Sequence, residues 1–239
     1  MSASWSGDSI LNCEGWQGCR RATEGNQRTE RAGRTERTER AREFWISWNY
    51  NQNNIMRLAT PPLPEPPFAR SYWAVPGQIL AGFYPGDRNP VVALHKLKAL
   101  LVCGVTHVCS LMERTETDHA GRPFEDYRPA WFSLARQRGG KAGWMHYPIR
   151  DVSVPAVPQM TRTLGALDAV LAGGGVVYLH CWGGRGRTGT VLGCWLARHG
   201  ERDPLTKLRQ LTARARQQFP QVPETRAQQQ FVLNWRVGP

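Results

Sequence analysis

Residues 178 to 191 of this 239-residue chain read YLHCWGGRGRTGTV, a stretch in which a cysteine and an arginine enclose a glycine-rich segment. The apolar run at residues 176–179 predicts a buried strand, and residues 188–198 can continue as a helix. A strand, a tight loop and a helix in this order direct backbone N–H groups and the positive end of the helix toward one anion. The stretch therefore predicts an α/β fold with an oxyanion-binding loop between a strand and a helix.

The loop between Cys181 and Arg187 supplies the residues that we expect to bind this anion. They are Trp182, Gly183, Gly184, Arg185 and Gly186. The three glycines allow dihedral angles that other residues reach poorly, so that the backbone N–H groups can turn inward. Arg187 adds a planar pair of donors that matches two oxygens of a phosphate group. We expect Arg187 to hold the substrate through these donors.

Cys181 is the candidate nucleophile, because the same donors stabilise a thiolate, which is the reactive form of cysteine. Thr188 follows the arginine, where its hydroxyl is placed to donate to the sulfur and to help the sulfur leave when a covalent intermediate is hydrolysed. Expulsion of an alkoxide or phenolate also requires a proton donor. Asp151 is the best candidate, since it follows a short predicted strand at residues 145–149 and lies thirty positions before Cys181.

The segment HCWGGRGRTG resembles the His-Cys-x5-Arg-Thr signature of the cysteine-dependent protein tyrosine phosphatase superfamily, in its compact dual-specificity branch. The likeness covers about residues 70–237 and extends to WAVPGQILAGFYPGD, GVTHVCSLME, PIRD and PETRAQQQFVLNW. The resemblance implies a phosphomonoester hydrolase in which Cys181 forms a phosphocysteine, Arg187 binds the phosphoryl oxygens and Asp151 acts as general acid and base. It places Thr188 in the hydroxyl position.

Three other residues of the signature region, Arg185, Trp182 and His180, each have a structural and a functional interpretation. Arg185 either binds a further anionic group of a highly charged substrate, such as an inositol phosphate, a phosphoinositide or a multiply phosphorylated peptide, or points into solvent. Trp182 either lines the substrate site or packs under the loop, and packing is the commoner role of a tryptophan. The resemblance suggests that His180 supports the loop through hydrogen bonds, and we do not predict it to be a catalytic base.

Other functions can use the same loop. A phosphate-recognising, non-catalytic binding module would need no proton donor such as Asp151. An inositol phosphate or phosphoinositide phosphatase would share the chemistry but differ in substrate. An arsenate reductase also has a Cys-x5-Arg loop but uses further cysteines to resolve its intermediate. Cys194 lies on the predicted helix after the loop, where we expect it to pack in the core.

The composition fits one domain with a single core, since 41% of the residues are hydrophobic. The net charge is +12, and residues 1–55 hold eight arginines against seven acids, which leaves +11 for residues 56–239. Such a basic part suits a phosphorylated protein or another acidic phosphomonoester as substrate. The sequence has no RNA-binding signature and no compact run of Lys and Arg, so a nucleic-acid partner is not expected.

The cysteines and histidines do not form the spacings of a metal site, so neither a metal nor a cofactor is expected. A reactive Cys181 requires a reducing compartment. The sequence shows no signal segment and no apolar run long enough to span a membrane. These features predict a soluble cytoplasmic protein.

Residues 1–55 differ in character from the rest of the chain. They contain three Arg-Thr-Glu repeats in polar surroundings, which favours disorder. The sequence from Met56 onward reads like a natural protein start, so this segment is either an upstream extension of the reading frame or a genuine tail that binds a partner. Residues 56–69 are predicted to be a proline-rich linker, and residues 70–239 the catalytic domain.

Strand and helix patterns alternate through the predicted catalytic domain. The expected elements are strands at residues 78–83 and 106–111, a helix at residues 91–101, a helix with the apolar face Met160, Leu164, Leu167 and Leu171, helix starts at Pro204 and Pro223, and a polar surface loop at residues 113–128. This order predicts a single α/β domain with a central, mostly parallel sheet flanked by helices on both faces. The phosphate-binding loop should lie at the carboxyl ends of the strands.

Overall fold

A computed structural model of the protein describes residues 65–140, 142–213, 215 and 221–235. The predictions for residues 1–55, and for most of the linker at residues 56–69, lie outside this part of the chain. Within the described part of the linker, Phe68 is buried. Its ring packs edge-on against those of Phe83 and Tyr178, with centroid distances of 5.7 and 5.9 Å. The core of the domain therefore includes Phe68.

One five-stranded sheet forms the centre of the fold. Its strands are β1 (Ser71–Val75), β2 (Ile79–Gly82), β3 (His107–Ser110), β4 (Gly143–His146) and β5 (Val177–His180). Their order is β1-β2-β5-β3-β4, in which β1 and β2 form an antiparallel pair and the other neighbours are parallel. The parallel strands therefore end at the same edge of the sheet.

Helices cover both faces of this sheet. They are α1 (Pro90–Val102), α2 (Arg128–Gln137), α3 (Val157–Ala172), α4 (Gly186–Arg198), α5 (Pro204–Thr212) and α6 (Arg226–Asn234). On one face, Leu97 of α1 and Trp131 of α2 share an apolar core with Leu80 and Tyr178. Side chains alternate along a strand, so Leu179 points to the opposite face, where α4 contacts β5 and packs among α3, α5 and α6. The predicted fold class is confirmed.

Most predicted elements match the structure to within two residues at each end. The strand expected at residues 145–149 lies earlier, at Gly143–His146. Beyond β4 the chain still follows β3, because Tyr147 N and Ile149 N donate to the carbonyl oxygens of Ser110 and Leu111, each at 3.0 Å. Pro148 between them has no N–H to donate, which interrupts the regular ladder.

Two helix starts depend on different local signals. Pro204 opens α5 as predicted, and the side chain of Asp203 caps the helix by accepting from Thr206 N at 3.0 Å. The prediction that Pro223 opens the last helix is wrong, because α6 begins at Arg226. Thr225 caps α6 in a capping box with Gln228. The Thr225 side chain accepts from the backbone N–H of Gln228, and the Gln228 side chain accepts from that of Thr225, so the helix starts without a proline in its first turn.

Candidate active site

Cys181 follows β5 directly and is 3% exposed. It begins a loop that ends where α4 starts, at Gly186. Gly184 has a φ of 73°, and a Cβ on this residue would lie 2.4 Å from the carbonyl carbon of Gly82. Glycine is required by both this backbone conformation and this close approach. Gly183 and Gly186 have no positive φ, so the prediction of unusual dihedral angles is wrong for these two glycines.

Two hydrogen bonds hold the loop against the residues just before β1 and just after β2. The backbone N–H of Tyr84 donates to Trp182 O at 3.0 Å, and Arg70 Nη2 donates to Gly183 O at 2.7 Å. The C=O and the following N–H of a trans peptide point in opposite directions. The N–H groups of Gly183 and Gly184 are therefore directed away from these contacts, as an anion-binding loop requires.

Arg187 is held by a network of acceptors in the interior. Its side chain is 1% exposed, and it binds both carboxylate oxygens of Glu116, each at 2.6 Å. Nη1 also donates to Ile149 O at 3.1 Å. Burial by itself would lower the pKa of Arg187, but the hydrogen bonds that it donates to Glu116 and its electrostatic interactions with Cys181, Glu116 and Asp151 raise it above its ordinary value. The guanidinium is therefore positively charged and fixed in place.

Two buried polar atoms of the loop, Nε of Arg187 and Oγ1 of Thr188, have no hydrogen-bond partner among the described residues. The predicted hydrogen bond from Thr188 to the sulfur of Cys181 is not formed. A buried donor without an acceptor costs about 1–3 kcal/mol, so both atoms are donors for which an oxyanion would be a favourable partner.

Asp151, the predicted proton donor, is brought next to Arg187. Its Oδ1 lies 2.8 Å from Nη2 of Arg187, and its side chain is 47% exposed. Gln228 of α6 is fully buried and donates from Nε2 to Ser153 O at 3.1 Å. This hydrogen bond joins the segment that carries Asp151 to the start of α6. The carboxylate thus stands between solvent and the buried guanidinium.

His180 is fully buried and links the loop to α2 and β4. Its Nδ1 lies 3.2 Å from Cys181 O, its Nε2 lies 2.7 Å from the hydroxyl of Tyr127, and Trp144 Nε1 donates to that hydroxyl at 3.1 Å. A carbonyl can only accept, so Nδ1 carries the proton and Nε2 accepts from the tyrosine. Burial lowers the pKa of His180 to about 3 and raises that of Tyr127. His180 is therefore a neutral support of the loop, as expected.

The guanidinium of Arg185 forms an ion pair with Glu224, a partner that neither of its two predicted roles includes, and its side chain is 32% exposed. The ring of Trp182 packs against those of His119 and Phe124, with centroid distances of 4.4 and 5.4 Å. This contact favours the packing interpretation of Trp182.

Four residues of this arrangement are missed by the sequence analysis: Glu116, Tyr127, Glu224 and Gln228. Glu116 and Tyr127 lie in the predicted polar loop at residues 113–128, where acids and bases alternate and no spacing marks one of them. Gln228 does carry a signal, since it stands three positions after Thr225 in the pattern of a capping box. That pattern predicts the helix start but not the hydrogen bond to the segment of Asp151.

Two further cysteines of the described part of the chain are buried in the core. Cys194 on α4 and Cys109 on β3 are fully buried, and burial raises the pKa of both thiols. The cysteines in the described part of the chain form no disulfide. In the same part of the chain, no helix combines the length and the apolar character needed to cross a membrane.

Comparison with known proteins identifies a family for most of the chain. The family model described as "Swiss Army Knife protein, DSP-PTPase phosphatase domain" matches residues 69–232. This match includes the sheet, the loop after β5 and the start of α6, so every residue of the site described above lies within it.

Individual curated relatives match a shorter part of the chain than the family model does. Protein 067L of Invertebrate iridescent virus 3, which carries the name of a tyrosine phosphatase, is 35% identical over 95 residues, or 38% of this chain and 39% of that protein. The chain spans about half the length of the curated relatives it matches.

Solved structures share the fold. TpbA of P. aeruginosa in complex with pTyr has a TM-score of 0.51 at 17% identity, over 72% of this chain and 87% of that one. PTPMT1 in complex with PI(5)P has a TM-score of 0.50 at 18% identity, over 69% of this chain and 93% of that one.

Proposed function

Because the chain belongs to the Swiss Army Knife family of dual-specificity (DSP-PTPase) phosphatase domains, we propose that it is a phosphomonoester hydrolase that acts through a phosphocysteine. The catalytic domain is the part from residue 70 to residue 239. Cys181 is the nucleophile, Arg187 binds the phosphoryl group and Asp151 transfers the proton.

The reaction has two steps. The thiolate of Cys181 attacks phosphorus, the bond from phosphorus to the ester oxygen breaks, and protonated Asp151 gives its proton to the departing oxygen. Water then attacks the phosphocysteine, Asp151 takes a proton from that water, and the sulfur leaves as a thiolate with release of inorganic phosphate. The hydroxyl of Thr188, which has no partner among the described residues, is available to donate to the sulfur in this second step. Neither step changes the oxidation state of any atom.

One observation carries the proposal: the carboxylate of Asp151 contacts the same guanidinium that is fixed beneath the glycine-rich loop, 2.8 Å from Nη2 of Arg187. Nη1 and Nη2 of Arg187 donate to Glu116, while the buried Nε of Arg187 has no partner among the described residues. A phosphoryl oxygen that accepts from Nε would lie within reach of both the loop N–H groups and Asp151. A module that only binds phosphate would not need this carboxylate.

The substrate that we propose is a phosphorylated protein or another acidic phosphomonoester. The +11 charge of residues 56–239 favours the approach of acidic substrates. The fold neighbours bind both a phosphorylated amino acid, in TpbA, and a phosphoinositide, in PTPMT1, so the loop chemistry suits either. Trp182, Gly183, Gly184 and Gly186 line the phosphate site through their backbone.

The thiolate mechanism favours a reducing compartment, which supports a cytoplasmic location. Arsenate reduction is disfavoured, because a second cysteine must reach the intermediate. Cys194, the nearest in sequence, is fully buried on α4, and burial raises the pKa of its thiol.

Hydrolysis of an aryl phosphate by the unmodified protein tests the proposal, with Cys181→Ser, Asp151→Ala and Cys194→Ser measured beside it. We expect turnover in the unmodified protein and in Cys194→Ser, none in Cys181→Ser and a strong decrease in Asp151→Ala. Phosphate binding without turnover by the unmodified protein would favour a binding module. Turnover that is unchanged in Cys194→Ser would argue against reductase-type chemistry.

A further inference from the structure

Arg185 and Glu224 form an ion pair at the rim of the phosphate-binding loop. Arg185 immediately precedes Gly186, the first residue of α4, and its Nη2 bonds to Oε1 of Glu224. The two side chains are 32% and 29% exposed, so the pair is partly solvated, unlike the buried pair of Arg187 with Glu116. The pair therefore lies next to the loop and is accessible to a solvated group of a bound molecule.

The position of Glu224 is fixed by its neighbours. It directly precedes Thr225, which caps α6 and whose N–H donates to Gln228 Oε1 at 3.1 Å. Gln228 is fully buried, and its amide also binds Ser153 O. A Cβ on Gly186 would lie 3.0 Å from Oε2 of Glu224. The carboxylate thus lies against the first turn of α4 as well as against Arg185.

The Arg185–Glu224 pair determines whether a second phosphate group of a substrate can bind beside the loop. A free guanidinium next to the loop would bind a second phosphate group of the substrate through two hydrogen bonds. Glu224 occupies that guanidinium and cancels its charge, and its own carboxylate repels a second phosphate that approaches the rim. The phosphoryl group inside the loop differs from a second phosphate, because it can accept from the unpartnered Nε of Arg187 while both Nη groups stay bound to Glu116.

We infer that Glu224 is a specificity-determining residue that restricts this site to substrates with a single phosphate group, by holding Arg185 and repelling further phosphates. The inference rests on the proposed function and narrows its substrate class. It favours phosphorylated proteins with one phosphate at the site over inositol polyphosphates.

Glu224→Gln tests the inference, because it keeps the shape of the side chain and removes its charge. The measured quantity is the ratio of kcat/KM for inositol hexakisphosphate to kcat/KM for an aryl monophosphate. We expect this ratio to rise at least about fivefold, since one unit of like-charge repulsion at the contact distance is removed. The double variant Glu224→Gln with Arg185→Ala should lose this gain, because the guanidinium that binds the second phosphate is absent.

Glu201→Gln provides the matched control. It makes the same substitution and the same change of net charge at the opposite end of α4, and the 13 residues of that helix place it about 20 Å from the loop. We expect Glu201→Gln to leave the ratio unchanged. An unchanged ratio in Glu224→Gln, an equal rise in Glu201→Gln, or a gain that survives in the double variant would overturn the inference.

A binding measurement separates this inference from the proposed function. Dissociation constants of inositol hexakisphosphate and phenyl phosphate are measured by calorimetry in Cys181→Ser, with and without Glu224→Gln. We expect Glu224→Gln to tighten inositol hexakisphosphate at least about fivefold relative to phenyl phosphate. If the unmodified protein hydrolyses neither substrate, the proposed function fails, and this binding ratio alone supports or refutes the role of Glu224.

Discussion

Oδ1 of Asp151 lies 2.8 Å from Nη2 of Arg187, although the two residues come from different segments, one after β4 and one at the start of α4. The parallel order of β4, β3 and β5 brings these segments to one edge of the sheet. The contact joins a solvent-accessible carboxylate to the buried cation that we propose to bind the phosphoryl group. The following predictions test its consequences.

Asp151→Asn should lower kcat about a hundredfold or more for substrates with a poor leaving group, because the amide cannot donate the proton that the departing oxygen needs. The loss should be much smaller for an aryl phosphate whose phenolate is stable without a proton. Steady-state kinetics over a series of aryl phosphates checks this dependence. Asp126→Asn, at an exposed aspartate paired with Arg128, is the matched control. An equal loss across all leaving groups would argue against Asp151 as the acid.

Glu116→Ala should lower the free energy of unfolding by about 3 kcal/mol, because it removes a partner from a buried ion pair and leaves the charge of Arg187 partly uncompensated. Glu113→Ala, three positions earlier on the exposed surface of the same loop, should change that free energy by less than about 0.5 kcal/mol. Urea unfolding of both variants checks the difference. Similar values for the two would mean that Glu116 has no special role.

Gly184→Ala should destabilise the protein more than Gly77→Ala, although both glycines have nearly the same φ, 73° and 70°. An alanine in the left-handed conformation costs about 1–2 kcal/mol at either site. A Cβ at residue 77 has no atom within 4 Å, whereas at residue 184 it would overlap the backbone of Gly82. This overlap should add about 1–3 kcal/mol and displace the loop. Equal loss of stability, with activity kept in Gly184→Ala, would contradict the close packing of the loop.

His180 should make stability depend on pH. Burial lowers its folded-state pKa to about 3 from an ordinary value of 6.5, so below about pH 6.5 the unfolded chain binds a proton that the folded protein does not. The free energy of unfolding should therefore lose up to about 1.4 kcal/mol per pH unit from this residue as the pH falls from 6.5 toward 3. Above pH 6.5 this contribution is constant.

His180→Asn should remove that part of the slope, and His95→Asn, at an exposed histidine, should not. Urea unfolding at a series of pH values between 5 and 8 measures the slope of each variant. A slope in His180→Asn equal to that of the unmodified protein would show that His180 is protonated in the folded state.

The sequence predicts the parts of this site that follow from local pattern. The strand, the glycine-rich loop and the helix around Cys181 follow one another directly along the chain, so local pattern is enough to predict them. The short apolar run before Asp151 predicts the neighbouring strand. Apolar periodicity likewise predicts α3, which buries Met160, Leu164 and Leu167. α1 also forms where it is predicted, but two of its regularly spaced apolar residues, Val91 and Leu94, are exposed.

The partners of the two arginines could not be predicted in the same way. Glu116 and Glu224 lie 71 and 39 positions from Arg187 and Arg185, and their pairing depends on how two loops meet at the end of the sheet. The loop at residues 113–128 holds five acids, and no local pattern separates Glu116 from the others. Glu224 is the only acid after residue 203, but the sequence does not show that it meets Arg185. The tertiary fold selects the one that meets each guanidinium, which is also why neither prediction for Arg185 included an ion pair.

Identification of the phosphorylated residue tests the central claim most directly. The unmodified protein is mixed with a radiolabelled phosphomonoester, quenched within one turnover, digested and mapped by mass spectrometry. We expect phosphate on Cys181, a burst of released alcohol that matches the amount of labelled enzyme, and no label in Cys181→Ser. Turnover by Cys181→Ser, or label on another residue such as His180, would contradict the account.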